Sequence, residues 1–229
     1  MEVIPRVRYV AQRLLDSLDA AGARFSRRRR TLRVATRNSL CGRYRLGRLQ
    51  GLADEVRRRD VPGDVVECGV YRGGSAAAIG ERLLPGSSRR MWLFDVFTGM
   101  PPPGSQDPWE AWTDVGKFVS NEAIVRGTLE AAGVPVDLVR IVPGRFEDTL
   151  PDFEVPPLAF LHLDCDWYGP VKLCLQTFFE AVRPGGCIVF DDYGYWSGCR
   201  RAVDEFLAER SPGARLVRID STSHYVRKD

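Results

Sequence analysis

Short apolar runs that alternate with helix-length segments set the tightest limit on what this chain can fold into. The runs "VVECGV" (65–70), "MWLFDV" (91–96), "VRIVPG" (139–144), "LAFLHLD" (158–164) and "CIVFDD" (187–192) are of strand length. Between them, helices are expected from about Ser75, over 121–132, over 168–182 and over 198–210. "VPGD" (61–64) and "RPGG" (183–186) read as turns, and two more strands are expected near 214–220 and 223–227. Upstream, Val7, Val10, Leu14, Leu15 and Leu18 recur at near-helical spacing over 5–20, and a second helix fits 43–59. Strands alternating with helices predict an α/β fold built on a mostly parallel sheet. Such a sheet binds ligands beyond the carboxyl ends of its strands.

Chemistry collects on that rim. Glu67 and Gly69 stand at the end of the first strand and Asp95 at the end of the second. Asp164 and Asp166 follow the fourth, and Asp191 and Asp192 the fifth. The turn "ECGVYRGGSA" lacks the G-x-G-x-x-G spacing of dinucleotide sites and the G-K-[ST] of a Walker loop. Its glycines let a ligand approach the backbone, and the helix that follows offers free N–H groups. An acid before the glycine suits a cationic amino-acid ligand, and Asp95 is placed for ribose hydroxyls. Together they point to S-adenosylmethionine; a tight turn with a capping serine is the plainer alternative.

Like charges as close as Asp164, Asp166, Asp191 and Asp192 repel unless something positive lies between them. An all-oxygen set suits Mg²⁺ or Ca²⁺ rather than zinc. The plainer reading makes Asp191 and Asp192 turn formers and Asp166 the N-cap of helix 168–182. His162 alternates with Leu161 and Leu163 and reads as a packed side chain rather than a base, and His224 as peripheral. The Pro-, Gly- and Trp-rich segment 98–120 is too long for a plain connection and reads as a functional lid or a disordered stretch.

The chain has 229 residues, of which 44% are hydrophobic. That fits one domain over 61–229 preceded by an arginine-rich helical segment over 1–60. No apolar run is long enough to span a bilayer and no signal peptide is visible, so a soluble cytoplasmic protein is expected. The six cysteines lack metal-finger spacing and read as reduced, buried side chains. Residues 1–60 hold 16 arginines and six acids in a chain of net charge +3. The run "RRRR" at 27–30 is expected to be solvated or to touch another subunit. Only Phe25 and Tyr44 interleave with the arginines of 24–48, so a nucleic-acid stacking platform is not indicated.

In order along the chain, "GDVVECGVYRGGSA", "LFDVFTGMP", "GRFEDTLP", "LHLDCDWYGPVK" and "PGGCIVFDDYGYWSGCRRAVDEF" resemble the macrocin O-methyltransferase (TylF) family from about residue 40 to the end. The resemblance implies a Rossmann-like class I methyltransferase fold, with seven strands, helices on both faces and an antiparallel C-terminal strand. It implies Mg²⁺- and S-adenosylmethionine-dependent methylation of a hydroxyl on a small-molecule acceptor, typically the sugar of a glycosylated antibiotic, by a homo-oligomer. By position, Asp164, Asp191 and Asp192 match the metal ligands and Asp166 the general base. Glu67, Gly69, Tyr71, Gly74, Ser75, Asp95 and Asp164 are assigned to the cofactor pocket, with Asp148 near the adenine and 98–120 as the lid. The stretch 24–48 departs from the family pattern. Alternatives are a non-sugar (polyketide or aromatic) hydroxyl as acceptor, a metal-dependent glycosyltransferase gripping a nucleotide sugar through "DCD", and a scaffold or RNA-binding protein using 24–48.

Overall fold

A computed structural model describes residues 26–229, so the helix expected over 5–20 lies outside the described residues. The strands are β1 (Asp64–Cys68), β2 (Met91–Asp95), β3 (Val139–Pro143), β4 (Leu158–Leu163), β5 (Val182–Phe190), β6 (Val217–Arg218) and β7 (His224–Arg227). They form one sheet in the order β3-β2-β1-β4-β5-β7-β6. The first five are parallel, and β7 runs antiparallel to both β5 and β6. This is the mostly parallel, seven-stranded sheet expected from the sequence. Its strand order reverses between β1 and β4, the point at which such sheets open a crevice.

The helices are α1 (26–37), α2 (Arg43–Arg58), α3 (Gly74–Leu83), α4 (Glu122–Ala132), α5 (Phe146–Thr149), α6 (Tyr168–Phe178) and α7 (Ser197–Arg210). Every residue of β4 is buried, as a central strand covered on both faces requires. Alternate side chains feed two cores. Val65, Phe160 and Val189 meet Leu46, Leu49 and Val56 of α2, whose helical spacing forms one apolar stripe. Val66, Leu161 and Phe190 meet Leu175 and Phe178 of α6 and Val203 of α7. Each such Leu or Phe contributes about 1.5–3 kcal/mol on burial. All six cysteines are unpaired and buried.

Two local features differ from the sequence reading. "RPGG" is not a turn: β5 begins at Val182, and its register with β4 slips between Leu158 and Phe160. Gly185 has φ 82°, and a Cβ on Gly186 would lie 2.7 Å from Val182 Cγ1, so the glycines form a bulge inside the strand. Helix α1 was not foreseen, because its arginines at 27–30 are exposed and carry no apolar period, although arginine is a good helix former. Arg30 Nε donates to Ala131 O (3.1 Å) and Thr31 Oγ1 to Ala132 O (3.2 Å), so α1 covers the carbonyl end of α4. The chain then crosses the start of α3, where Gly74 N donates to Asn38 O (3.1 Å). Among the described residues, no helix is long and apolar enough to cross a membrane.

Candidate active site

A cleft of about 440 Å³ opens at the carboxyl ends of β1, β2, β4 and β5. After β1 the backbone turns through Gly69 (φ 86°), Tyr71 (φ 49°) and Gly73 (φ 84°). A Cβ on Gly69 would stand 1.7 Å from Asp164 O, so only glycine lets this turn touch the end of β4. Asp95 ties the turn down. Its Oδ2 accepts from Val70 N (2.7 Å) and Tyr71 N (2.8 Å), and its Oδ1 from Phe97 N (2.7 Å). Gly69, Tyr71, Ser75 and Asp95 line the cleft. Gly74 lies behind them, under the α1–α2 link. Glu67 is fully buried beneath the turn, and its Oε2 has no hydrogen-bond partner. At the β3 end, residues 144–147 line the cleft, whereas Asp148 is exposed on α5 outside the lining.

The aspartates converge as the strand ends require. Carboxylate oxygens of Asp164, Asp166 and Asp192 lie within 4.8 Å of one another. Those of Asp164 and Asp191 lie within the same distance of the Cys41 thiol, so Asp164 belongs to both groups, whereas Asp191 and Asp192, expected to bind one ion together, share neither. Burial, then the neighbouring aspartates, pushes the Asp164 and Asp192 carboxyls well above their usual range. Asp192 Oδ2 is buried without a partner. A crowded all-oxygen set with an orphaned buried oxygen fits a hard divalent cation.

Asp191 differs from the other three. Burial pushes its carboxyl up, but hydrogen bonds and charge from His162 and Arg45 outweigh that and hold it low. His162 lies directly across from Glu67 in the sheet register. Its Nδ1 is 2.8 Å from Glu67 Oε1 and its Nε2 is 3.3 Å from Asp191 Oδ1. A ring between two carboxylates donates to both only as imidazolium. Burial works against that charge, yet the two carboxylates raise His162 to about 9. It is packed, as its place in the strand suggested, and also ionised. Arg45 pairs with Asp191 Oδ2 from the other side.

Asp166 sits in the left-handed region (φ 57°), which Asp tolerates. Trp196 Nε1 donates to its Oδ1 at 3.0 Å, and the Trp196 ring packs edge-on to Trp167 at 5.0 Å. Burial is the largest influence on Asp166 and lifts it to about 7. Asp166 is not the cap of α6. The first N–H of that helix, Tyr168 N, donates to Asp107 Oδ1 (2.8 Å) from the segment 98–120. The segment carries a 3₁₀ turn at Trp109–Asp114. Trp167 Nε1 donates to Pro101 O (3.0 Å), and Phe118 meets Tyr71 edge-on at 6.0 Å. Trp109 and Trp112 are exposed.

Arg45, Trp196 and Asp107 were missed by the sequence reading. Only Arg45 carried a local signal. It stands in the first turn of α2, which has no acidic residue, where the helix dipole disfavours a cation.

The strand order, with a glycine turn and carboxylates sharing one cleft, is that of a class I methyltransferase. The sequence pattern of the macrocin O-methyltransferase family (TylF) matches residues 5–228, and the chain belongs to that family. It is 33% identical over 198 residues to the 8-demethyl-8-(2,3-dimethoxy-alpha-L-rhamnosyl)-tetracenomycin-C 4'-O-methyltransferase of Streptomyces olivaceus, covering 83% of this chain and 75% of that one. It is 32% identical over 203 residues to the mycinamicin III 3''-O-methyltransferase of Micromonospora griseorubida, covering 83% and 78%. Among solved structures, the O-methyltransferase NovP superposes with a TM-score of 0.74 at 30% identity, covering 83% of this chain and 82% of that one. The protein is therefore an O-methyltransferase, which sets aside the glycosyltransferase and scaffold alternatives.

Proposed function

We propose that the protein transfers the methyl group of S-adenosylmethionine to a hydroxyl on the sugar of a glycosylated natural product, in antibiotic biosynthesis and with Mg²⁺. The observation that carries this reading is the backbone contact of Gly69 with Asp164, which sets a cofactor turn directly against a carboxylate centre. The names of the two relatives given above, for a rhamnosyl-tetracenomycin and for mycinamicin III, support a sugar-bearing acceptor. Gly69, Tyr71, Ser75 and Asp95 seat the donor, with Gly74 packed behind them and the α3 N-terminus suited to the donor carboxylate. The Oε2 of the buried Glu67 is left without a partner beneath that seat. Residues 144–147, with Asp148 beside them, flank the adenine.

Asp164, Asp191 and Asp192 would hold the cation, which when bound lowers the pKa of a substrate hydroxyl and fixes its direction. Asp166 takes the proton of the hydroxyl being methylated. Burial raises its carboxyl above the ordinary carboxylate range, which makes it a stronger base than an exposed aspartate. The oxygen–methyl bond forms as the sulfur–methyl bond breaks, and the largest contribution of the chain is alignment of the two.

The test pairs calorimetry with turnover. S-adenosylhomocysteine should bind the wild type and Asp191→Ala with nearly equal affinity, while Asp191→Ala loses cation-dependent methylation of a glycosylated acceptor. Substantial turnover by that variant in the presence of chelator would remove the cation from the reading.

A further inference from the structure

Four aspartates converge on the cleft. Among the described residues, the two cationic side chains that bond to them, His162 and Arg45, both bond to Asp191. Arg45 comes from α2, in the arginine-rich segment that the family pattern left unexplained. Its Nε donates to Asp220 Oδ2 (2.8 Å) and its Nη2 to Asp220 Oδ1 (3.0 Å), a two-pronged pair that fixes the guanidinium plane. Nη2 also reaches Thr222 Oγ1, and Nη1 reaches Asp191 Oδ2. Asp220 is locked in turn, accepting from Thr222 N (3.0 Å) and Ser223 N (2.9 Å) in the turn between β6 and β7. The Arg45 side chain is 14% exposed and lines the cleft. The result is a positive charge held rigidly one carboxylate away from Asp164 and Asp192.

We propose that Arg45 is a positioning residue of the carboxylate centre and sets how tightly that centre holds its divalent cation. The proposal rests on the reading of the centre as a cation site. Arg45 fixes the direction of Asp191 Oδ2. It also offsets part of the mutual repulsion of the aspartates, so the site is formed before a cation arrives. The same charge opposes the incoming cation and holds the affinity down. Lysine would keep the charge but lose the two-pronged grip on Asp220. Glutamine would keep hydrogen-bond donors but lose the charge.

Mn²⁺ is the probe, its free concentration read by electron paramagnetic resonance on the full-length protein without turnover, with thermal unfolding run in parallel. Removing a unit charge this close to a divalent site predicts that Arg45→Gln binds Mn²⁺ about tenfold or more tighter, while Arg45→Lys stays within about threefold of wild type. Asp220→Asn leaves Arg45 less compensated and should weaken Mn²⁺ binding several-fold, which keeps the test decisive if Arg45→Gln does not fold. If Arg45→Gln binds Mn²⁺ no more tightly than Arg45→Lys, or Asp220→Asn binds it as the wild type does, Arg45 is a strut only and the proposal fails. A wild-type protein that binds no Mn²⁺ overturns the cation-site reading itself, and this proposal with it.

Discussion

The hydrogen bond from Trp196 Nε1 to Asp166 Oδ1, 3.0 Å long, stabilises the charged form of the proposed base. Trp196→Phe removes the donor and keeps a ring against Trp167. A hydrogen bond to a charged group contributes about 1.5–3 kcal/mol. At 1.36 kcal/mol per pH unit, its loss should move the acidic limb of the kcat/KM profile upward by about one to two pH units. Without a cation Asp166 titrates at about 7, and a bound cation lowers that value in wild type and variant alike. On the acidic side of the limb the variant should then be about ten- to a hundredfold slower, and it should recover most of that loss in alkali, where the carboxyl is again ionised. The assay is initial-rate methyl transfer across pH at saturating cation. A uniform loss at every pH, or an acidic limb that does not move, would refute Asp166 as the base and Trp196 as the group that tunes it.

Two stability experiments probe the frame of the site. A Cβ at Gly74 would lie 2.5 Å from Ala35 O and 2.5 Å from Ser39 Cβ, so Gly74→Ala should cost about 2–4 kcal/mol by overpacking and by straining the bond to Asn38. Gly127 in α4 has open space, and Gly127→Ala should instead stabilise by about 0.5–1 kcal/mol. Urea midpoints for both check this, and equal midpoints would mean that the α1–α2 link does not press on α3. His162 is raised in the folded state from the usual 6.5 to about 9. Its stabilising contribution is therefore fully present below pH 6.5 and is lost as the pH climbs through about 9. Chelator-treated protein should weaken across that window in urea titrations, and His162→Gln should flatten the dependence; an unaltered slope in the variant would place the effect elsewhere.

The sheet was legible because buried parallel strands appear as short apolar runs, and the rim because each run ended in a glycine or an acid. What the sequence hid depends on contacts across long separations. Arg45 is 146 residues from Asp191 and 175 from Asp220, and no local pattern links them. Asp107 caps α6 from 61 residues away, leaving Asp166, the locally plausible cap, free to face the cleft. "RPGG" has turn chemistry, but pairing of β5 with β4 and β7 overrides it and absorbs the glycines as a bulge. The division among the aspartates was also beyond reach, since it follows from which of them His162 and Arg45 touch.

The bare contact between Gly69 and Asp164 has a consequence for altering this enzyme. The spacing between the glycine turn and the carboxylates is set by two peptide groups at the ends of adjoining strands, with no side chain interposed. The segment 98–120 hangs elsewhere, from Asp107 on the start of α6 and from Pro101 on Trp167. The segment 98–120 and the turn at Gly69 are thus anchored in separable parts of the molecule. A segment 98–120 exchanged between relatives, with Asp107 and Pro101 retained, should therefore leave the Gly69 turn and the aspartates where they stand.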